Sequence, residues 1–105
     1  MKEFKGTPGP WVASKTDRSI GPVSRDDDQS YGMILPVAWV EFDGNDAYQQ
    51  ANANLIAAAP DLFEALQCLV KSYDEFRTRT GRGTKPQALE LLNARAAISK
   101  ALGEE

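Results

Sequence analysis

The chain has 105 residues, 42% of them hydrophobic, enough for one compact domain whose small core would gain from oligomerisation. It contains no histidine and a single cysteine, Cys68. That excludes an intrachain disulfide, a structural zinc site within one chain, and nucleophilic catalysis by a Ser/His or Cys/His pair. An enzyme would have to work with carboxylates, Lys or Tyr alone, so the expectation is a protein that performs no chemistry and needs no metal or cofactor.

No apolar run reaches the ~18 residues of a membrane span, and no basic start leads into an apolar segment; a cytoplasmic protein is expected. The net charge of −3 is unevenly spread. Acids dominate from Glu41 to Glu75, with Lys71 the sole cation; from Arg77 to Lys100 the balance inverts, with Glu90 the sole acid. Such a basic zone can hold phosphate groups or an acidic partner. Direct DNA binding by the chain is disfavoured by its negative charge and by the lack of a helix-turn-helix or zinc motif.

In chain order, Thr7-Pro8-Gly9-Pro10 cannot be helical and delivers Trp11-Val12-Ala13 as a short edge strand. Ser19-Ile20 and Val23 give a second strand around Gly21-Pro22, and Arg25–Gly32 forms an acidic loop. Met33–Phe42 is the best strand candidate, apolar on both alternations and therefore expected to be covered on both sides, by helices or by another subunit; Pro36 puts its first half at an edge or bulge. Asp43-Gly44-Asn45-Asp46 is a turn, with Asp43 or Asn45 as a cap.

An alanine-rich helix then runs to Ala59. Pro60 interrupts it, and Asp61 and Glu64, at capping-box spacing, restart a second helix expected over Pro60–Arg77. Its core stripe is Leu62, Phe63, Leu66, Leu69, Val70, Tyr73 and Phe76. Thr80–Lys85 breaks the pattern, and Pro86 opens a third helix that lasts to Leu102 and is ended by Gly103. The fold class is therefore α+β, a small N-terminal antiparallel sheet followed by a helix, a proline corner and an antiparallel helical hairpin. One domain is expected over 1–105, with the β layer over about 7–42 and the helical part over about 46–102.

Two familiar site patterns fail. Asp26, Asp28 and Ser30 alternate like a calcium loop, but Gly32 falls one place late and Val37 stands where a bidentate Glu is required. Gly81-Arg82-Gly83-Thr84-Lys85 has the parts of a phosphate loop without Walker spacing and follows a helix instead of a strand; it reads as a flexible basic connector.

The informative positions are polar residues on apolar arcs. At 100° per residue, the third helix gathers Leu89, Leu91, Leu92, Ala96, Ile98 and Leu102, with Arg95 near the middle. An inward arginine needs a carboxylate, backbone carbonyls, an interface or a bound anion. On the first helix, Asn52 falls within the arc of Ala47, Tyr48, Ala51, Leu55, Ile56 and Ala59, whereas Gln49, Gln50 and Asn54 fall off it. Such an amide either locks structure or reads a base or ribose. Trp11, Trp39 and Tyr48 are either core or a stacking face for a planar ligand.

Thr7-Pro8-Gly9-Pro10-Trp11, Val37-Ala38-Trp39-Val40, the run Ala51–Leu66 and Ala94-Arg95-Ala96-Ala97-Ile98 together resemble a family of small phage and prophage proteins. Within that group the layout is similar to the nucleotide sponges by which phages counter Thoeris defence. The resemblance implies dimers or larger rings in the host bacterial cytoplasm, and sequestration of a cyclic ADP-ribose isomer or a cyclic oligonucleotide. It carries a binding role only onto Arg95 and Asn52; read from the residues themselves, an anionic nucleotide would set Arg95 on phosphate and Asn52 on base or ribose, with Trp11 or Trp39 stacking. Two alternatives are a phage inhibitor that binds a host protein directly, such as a CRISPR complex or a nuclease, and a structural phage component.

Overall fold

The computed structural model describes residues 4–23, 34–40, 46–83 and 85–104. The acidic loop expected over Arg25–Gly32 and the Asp43 or Asn45 cap lie outside them. Three strands, β1 (Val12–Ala13), β2 (Ser19–Gly21) and β3 (Ala38–Trp39), precede three helices, α1 (Asp46–Ala57), α2 (Ala59–Arg79) and α3 (Leu89–Leu102). The α+β class and the order of its parts are those expected from the sequence. The chain divides into two compact units, one formed by Lys5–Asp61 and one by Met1–Phe4 with Leu62–Glu105.

In the first unit the sheet is antiparallel in the order β1-β2-β3. Val12 pairs with Gly21, Ala13 with Ile20, Ser19 with Trp39 and Ile20 with Ala38. The turn between β1 and β2 is held by side chains: the amides of Thr16 and Asp17 donate to Ser14 Oγ, and the amide and hydroxyl of Ser19 donate to Asp17 Oδ1. Arg18, at φ 59, supplies the left-handed residue that closes it.

The ten-residue strand expected over Met33–Phe42 is much shorter, being confined among described residues to Ala38–Trp39 and an isolated bridge of Ile34 with Val23. Pro36 accounts for the gap, since it has no N–H for the ladder. The flanking amides still find partners, Leu35 on Pro22 O at 2.8 Å and Val37 on Ile20 O at 2.7 Å.

Residues directly opposite one another across a sheet share a face, so Ala13, Ile20 and Ala38 face one side and Val12, Ser19 and Trp39 the other. The first side is the core. Ile20 is fully buried with Ala53 and Ala57 of α1, and Trp11, Ala13 and Val40 pack around them. Trp39 is 61% exposed, so the expectation of cover on both faces fails at this residue.

Helix α1 is rotated relative to the sequence reading. Its buried line is Gln49, Ala53 and Ala57, spaced i, i+4, i+8, whereas Tyr48, Leu55 and Ile56 are exposed. Alanines let the helix backbone approach the tiny sheet closely, and the larger apolar residues are left outside. At the C-terminal end of this unit Pro60 occupies the first turn of α2, as its missing N–H permits. Asp61 also lies in the first turn, where it favours the positive end of the helix dipole; with α2 beginning at Ala59, it is not the cap residue.

In the second unit α2 and α3 form the antiparallel hairpin. Val70, Leu91 and Ile98 are its core, with Phe63, Leu66, Ala94 and Leu102 packed against them, and Phe4 meets Phe63 edge-on at 5.8 Å between ring centroids. Both helices end alike. Gly81 and Gly103 have φ of 77° and 80°; Gly81 N donates to Thr78 O and Arg82 N to Arg77 O, and Gly103 N donates to Lys100 O and Glu104 N to Ser99 O. These are the two bonds of a Schellman cap. Gly81 therefore ends a helix, and the segment after it is tied down at several points.

Candidate functional site

Arg95 projects from α3 toward α2, where its Nη2 donates to Asp74 Oδ1 and its Nε donates to Gln87 Oε1 at 2.8 Å. The sequence requirement for a partner is met, and the partner is a carboxylate 21 residues away in the chain. The pair is only partly buried, with side-chain exposures of 36% and 39%, so the guanidinium stays reachable at the rim of the hairpin. A phosphate approaching it would compete with Asp74.

Arg77 is a second inward arginine, and the sequence reading misses it. It is buried and its Nη2 donates to the carbonyl oxygen of Lys85. A signal for it exists: Phe63, Leu66, Val70, Asp74 and Arg77 recur at i, i+3, i+7, i+11 and i+14, one inward line whose last two members are polar. The basic connector is thus anchored by Arg77 from below, while Lys85 N bonds Arg82 O at 3.0 Å. Gly81 and Gly83 serve a helix end whose dipole repels anions, which removes the phosphate-loop reading on electrostatic as well as spacing grounds.

Asn52 is exposed, not inward as expected. Gln49, expected off the apolar arc, is the buried amide of α1 at 2% exposure. The two tryptophans are not brought together. Trp11 packs on the Ile20–Ala53–Ala57 core and its Nε1 donates to Pro8 O at 3.2 Å, so it is a structural ring. Trp39 lies on the opposite face of the sheet and is accessible to a partner. Val37, Leu35 and Val12 are also exposed in this part of the chain.

The carboxylate of Asp17 has a lowered pKa. The Ser19 amide, followed by the Ser19 and Ser14 hydroxyls, holds it below the ordinary value of 3.8. Those bonds define a turn, not a reaction centre. Among the described residues no group of three or more Cys, Asp or Glu could hold a metal ion, and no single helix is long and apolar enough to cross a membrane.

Taken together, these placements define a small α+β protein in which the inward arginines Arg77 and Arg95 bond groups of the chain itself. The chain belongs to the family of Salmonella phage P22 protein Y8K6, whose model matches residues 1–105. No curated protein and no solved structure matches it.

Proposed function

We propose that this phage-family protein acts by binding a host protein directly, through the outer face of its sheet around Trp39. The observation that carries the reading is the asymmetry of that sheet. Ile20 on one face is fully buried, whereas Trp39 on the other is 61% exposed and Val37 and Leu35 are exposed beside it in the chain. A large exposed aromatic is the kind of anchor that dominates binding energy at interfaces. The unit that carries it, Lys5–Asp61, has more acidic than basic residues. Its charge therefore suits a basic partner surface, such as the nucleic-acid-binding groove of a CRISPR complex or a nuclease.

Sequestration of a cyclic nucleotide or ADP-ribose-type signal is the second reading, favoured by the partly exposed Arg95–Gln87 pair at the hairpin rim. Here an anionic ligand exchanges with Asp74 for the guanidinium fork.

One experiment separates the two. The tagged protein is recovered from infected cells, its protein partners are identified, and whatever is released on heating is weighed by mass spectrometry. The host-protein reading expects a defined nucleic-acid-binding protein that is lost with Trp39→Ala and kept with Arg95→Ala. Release of a small anionic nucleotide, lost with Arg95→Ala, would replace it with sequestration.

A further inference from the structure

Helix α2 has two apolar lines, and the hairpin core takes up one of them and, of the other, only Leu66. The used line ends in Asp74 and Arg77 and packs on α3. The other comprises Leu62, Leu66, Leu69, Tyr73 and Phe76, at intervals of 4, 3, 4 and 3 residues, the a/d repeat of a coiled-coil seam. Leu62, Leu69, Tyr73 and Phe76 are 55%, 67%, 45% and 45% exposed; Leu66 is shared with the hairpin core. The seam runs about four turns, roughly 21 Å, in one stripe. Four large apolar side chains aligned this way are not the scattered exposures normal at a surface.

We infer that the seam is the contact between two copies of this chain, with their α2 helices antiparallel. Charge settles the occupant and its direction. The first turn of α2 carries Asp61 and the last turn carries the exposed Arg79, so a second α2 running the opposite way brings each acidic end to the other's basic end and opposes the helix dipoles favourably. Parallel pairing would align acid with acid and base with base.

With Leu66 of one helix level with Leu69 of the other, Arg79 comes within about one and a half turns of the level of Asp61 in the second copy, inside the reach of its long side chain. The flank on that side offers Ala65 and Ser72, small enough for close approach of the two helices. Arg79 is already poised there, its guanidinium 6.0 Å from the Phe76 ring centroid, and Phe76 and Tyr73 stand 6.5 Å apart. The seam alone is smaller than the ~800 Å² per partner of a standard stable interface, so a concentration-dependent dimer is expected.

Sedimentation equilibrium over a wide concentration range, on the full chain and on Leu69→Glu, tests the contact. Leu69 is exposed in one copy, so Leu69→Glu should keep the wild-type circular dichroism spectrum and lose the dimer. Orientation is read by charge exchange. Asp61→Arg and Arg79→Asp should each weaken dimerisation roughly three- to ten-fold, since each disturbs two symmetry-related contacts, and the double variant should recover most of it. A wild-type chain that stays monomeric at every concentration, or a Leu69→Glu variant that still dimerises, overturns the seam. A double variant no better than the single ones overturns the antiparallel direction.

Discussion

Gly9 lies against the ring of Pro60, so close that a Cβ on Gly9 would fall 2.6 Å from Pro60 Cβ. The contact joins the Thr7–Trp11 segment to the start of α2. The presence of Thr7-Pro8-Gly9-Pro10-Trp11 and the Ala-Ala-Ala-Pro-Asp run in one chain thus has a physical basis, because each supplies half of one packing contact. The proline ring cannot swing aside as a flexible side chain could. Gly9→Ala should destabilise the Lys5–Asp61 unit by about 1–3 kcal/mol, read as a lowered urea midpoint with the m-value unchanged.

Gly21 should be the least replaceable glycine. A Cβ there would overlap the carbonyl oxygen of Leu35 and come 3.0 Å from its carbonyl carbon, and backbone cannot yield without breaking the Val23–Ile34 bridge. Gly21→Ala is expected to cost at least the upper end of the ~1–3 kcal/mol typical of overpacking. Thermal denaturation followed by tryptophan fluorescence would show it through Trp11, which packs on the same core.

The helix ends separate two glycines that look equivalent in sequence. Gly81 is held at φ 77°. A Cβ added to Gly83 would meet only ordinary contacts, the nearest being Thr78 Oγ1 at 3.9 Å. Gly81→Ala should therefore cost about 1–2 kcal/mol and Gly83→Ala much less. Chemical denaturation of both variants side by side is the check.

Asp17 predicts an acid-sensitive turn. Its folded pKa lies below its unfolded value because the Ser19 amide and the Ser19 and Ser14 hydroxyls bond the charged form. Its contribution is therefore fully present above the unfolded value of 3.8 and is lost as pH falls through the folded pKa. Asp17→Asn should make stability less dependent on pH in that acidic window and leave the neutral-pH slope alone. Carboxyl NMR titration of Asp17 that gave an ordinary or raised value would contradict the assignment.

The Arg95–Asp74 pair, being partly exposed, should be modest in energy. A double-mutant cycle with Arg95→Gln and Asp74→Asn is expected to give about 0.2–1 kcal/mol of coupling. At that size the fold should survive its loss, and Arg95 variants should remain usable in the binding experiment.

Much of the fold is legible in the sequence because proline and glycine punctuate it: Pro60 after α1, Gly81 and Gly103 after α2 and α3. Helix faces are harder to read. In α1 a ranking by hydrophobicity chooses Tyr48, Leu55 and Ile56, yet a sheet of two- and three-residue strands offers Ile20 as its main buried side chain, and Ala53 and Ala57 are the α1 residues buried with it. In α2 the sequence reads as a single broad stripe where two lines exist, since apolar character alone cannot tell a residue facing its own hairpin from one facing outward. Arg95 is recognisable as needing a partner; Asp74 is not recognisable as that partner, because their meeting depends on how the hairpin is phased. Asn52 is misplaced with the rest of its helix, and Trp11 and Trp39 group together because sequence does not show which face of a sheet each one takes.

The bridge between Val23 and Ile34, with Leu35 N on Pro22 O, fastens both ends of the segment between them. Register is therefore fixed outside that segment, by bonds that do not depend on how many residues it contains. Extra length inserted there would cost only the slowly growing entropy of a longer closed loop, about 0.6 kcal/mol per doubling. Insertions, tags or reporter peptides placed between Val23 and Ile34 should therefore leave the pairing of β2 with β3 in place, which slow hydrogen exchange of the Leu35 and Val37 amides would check.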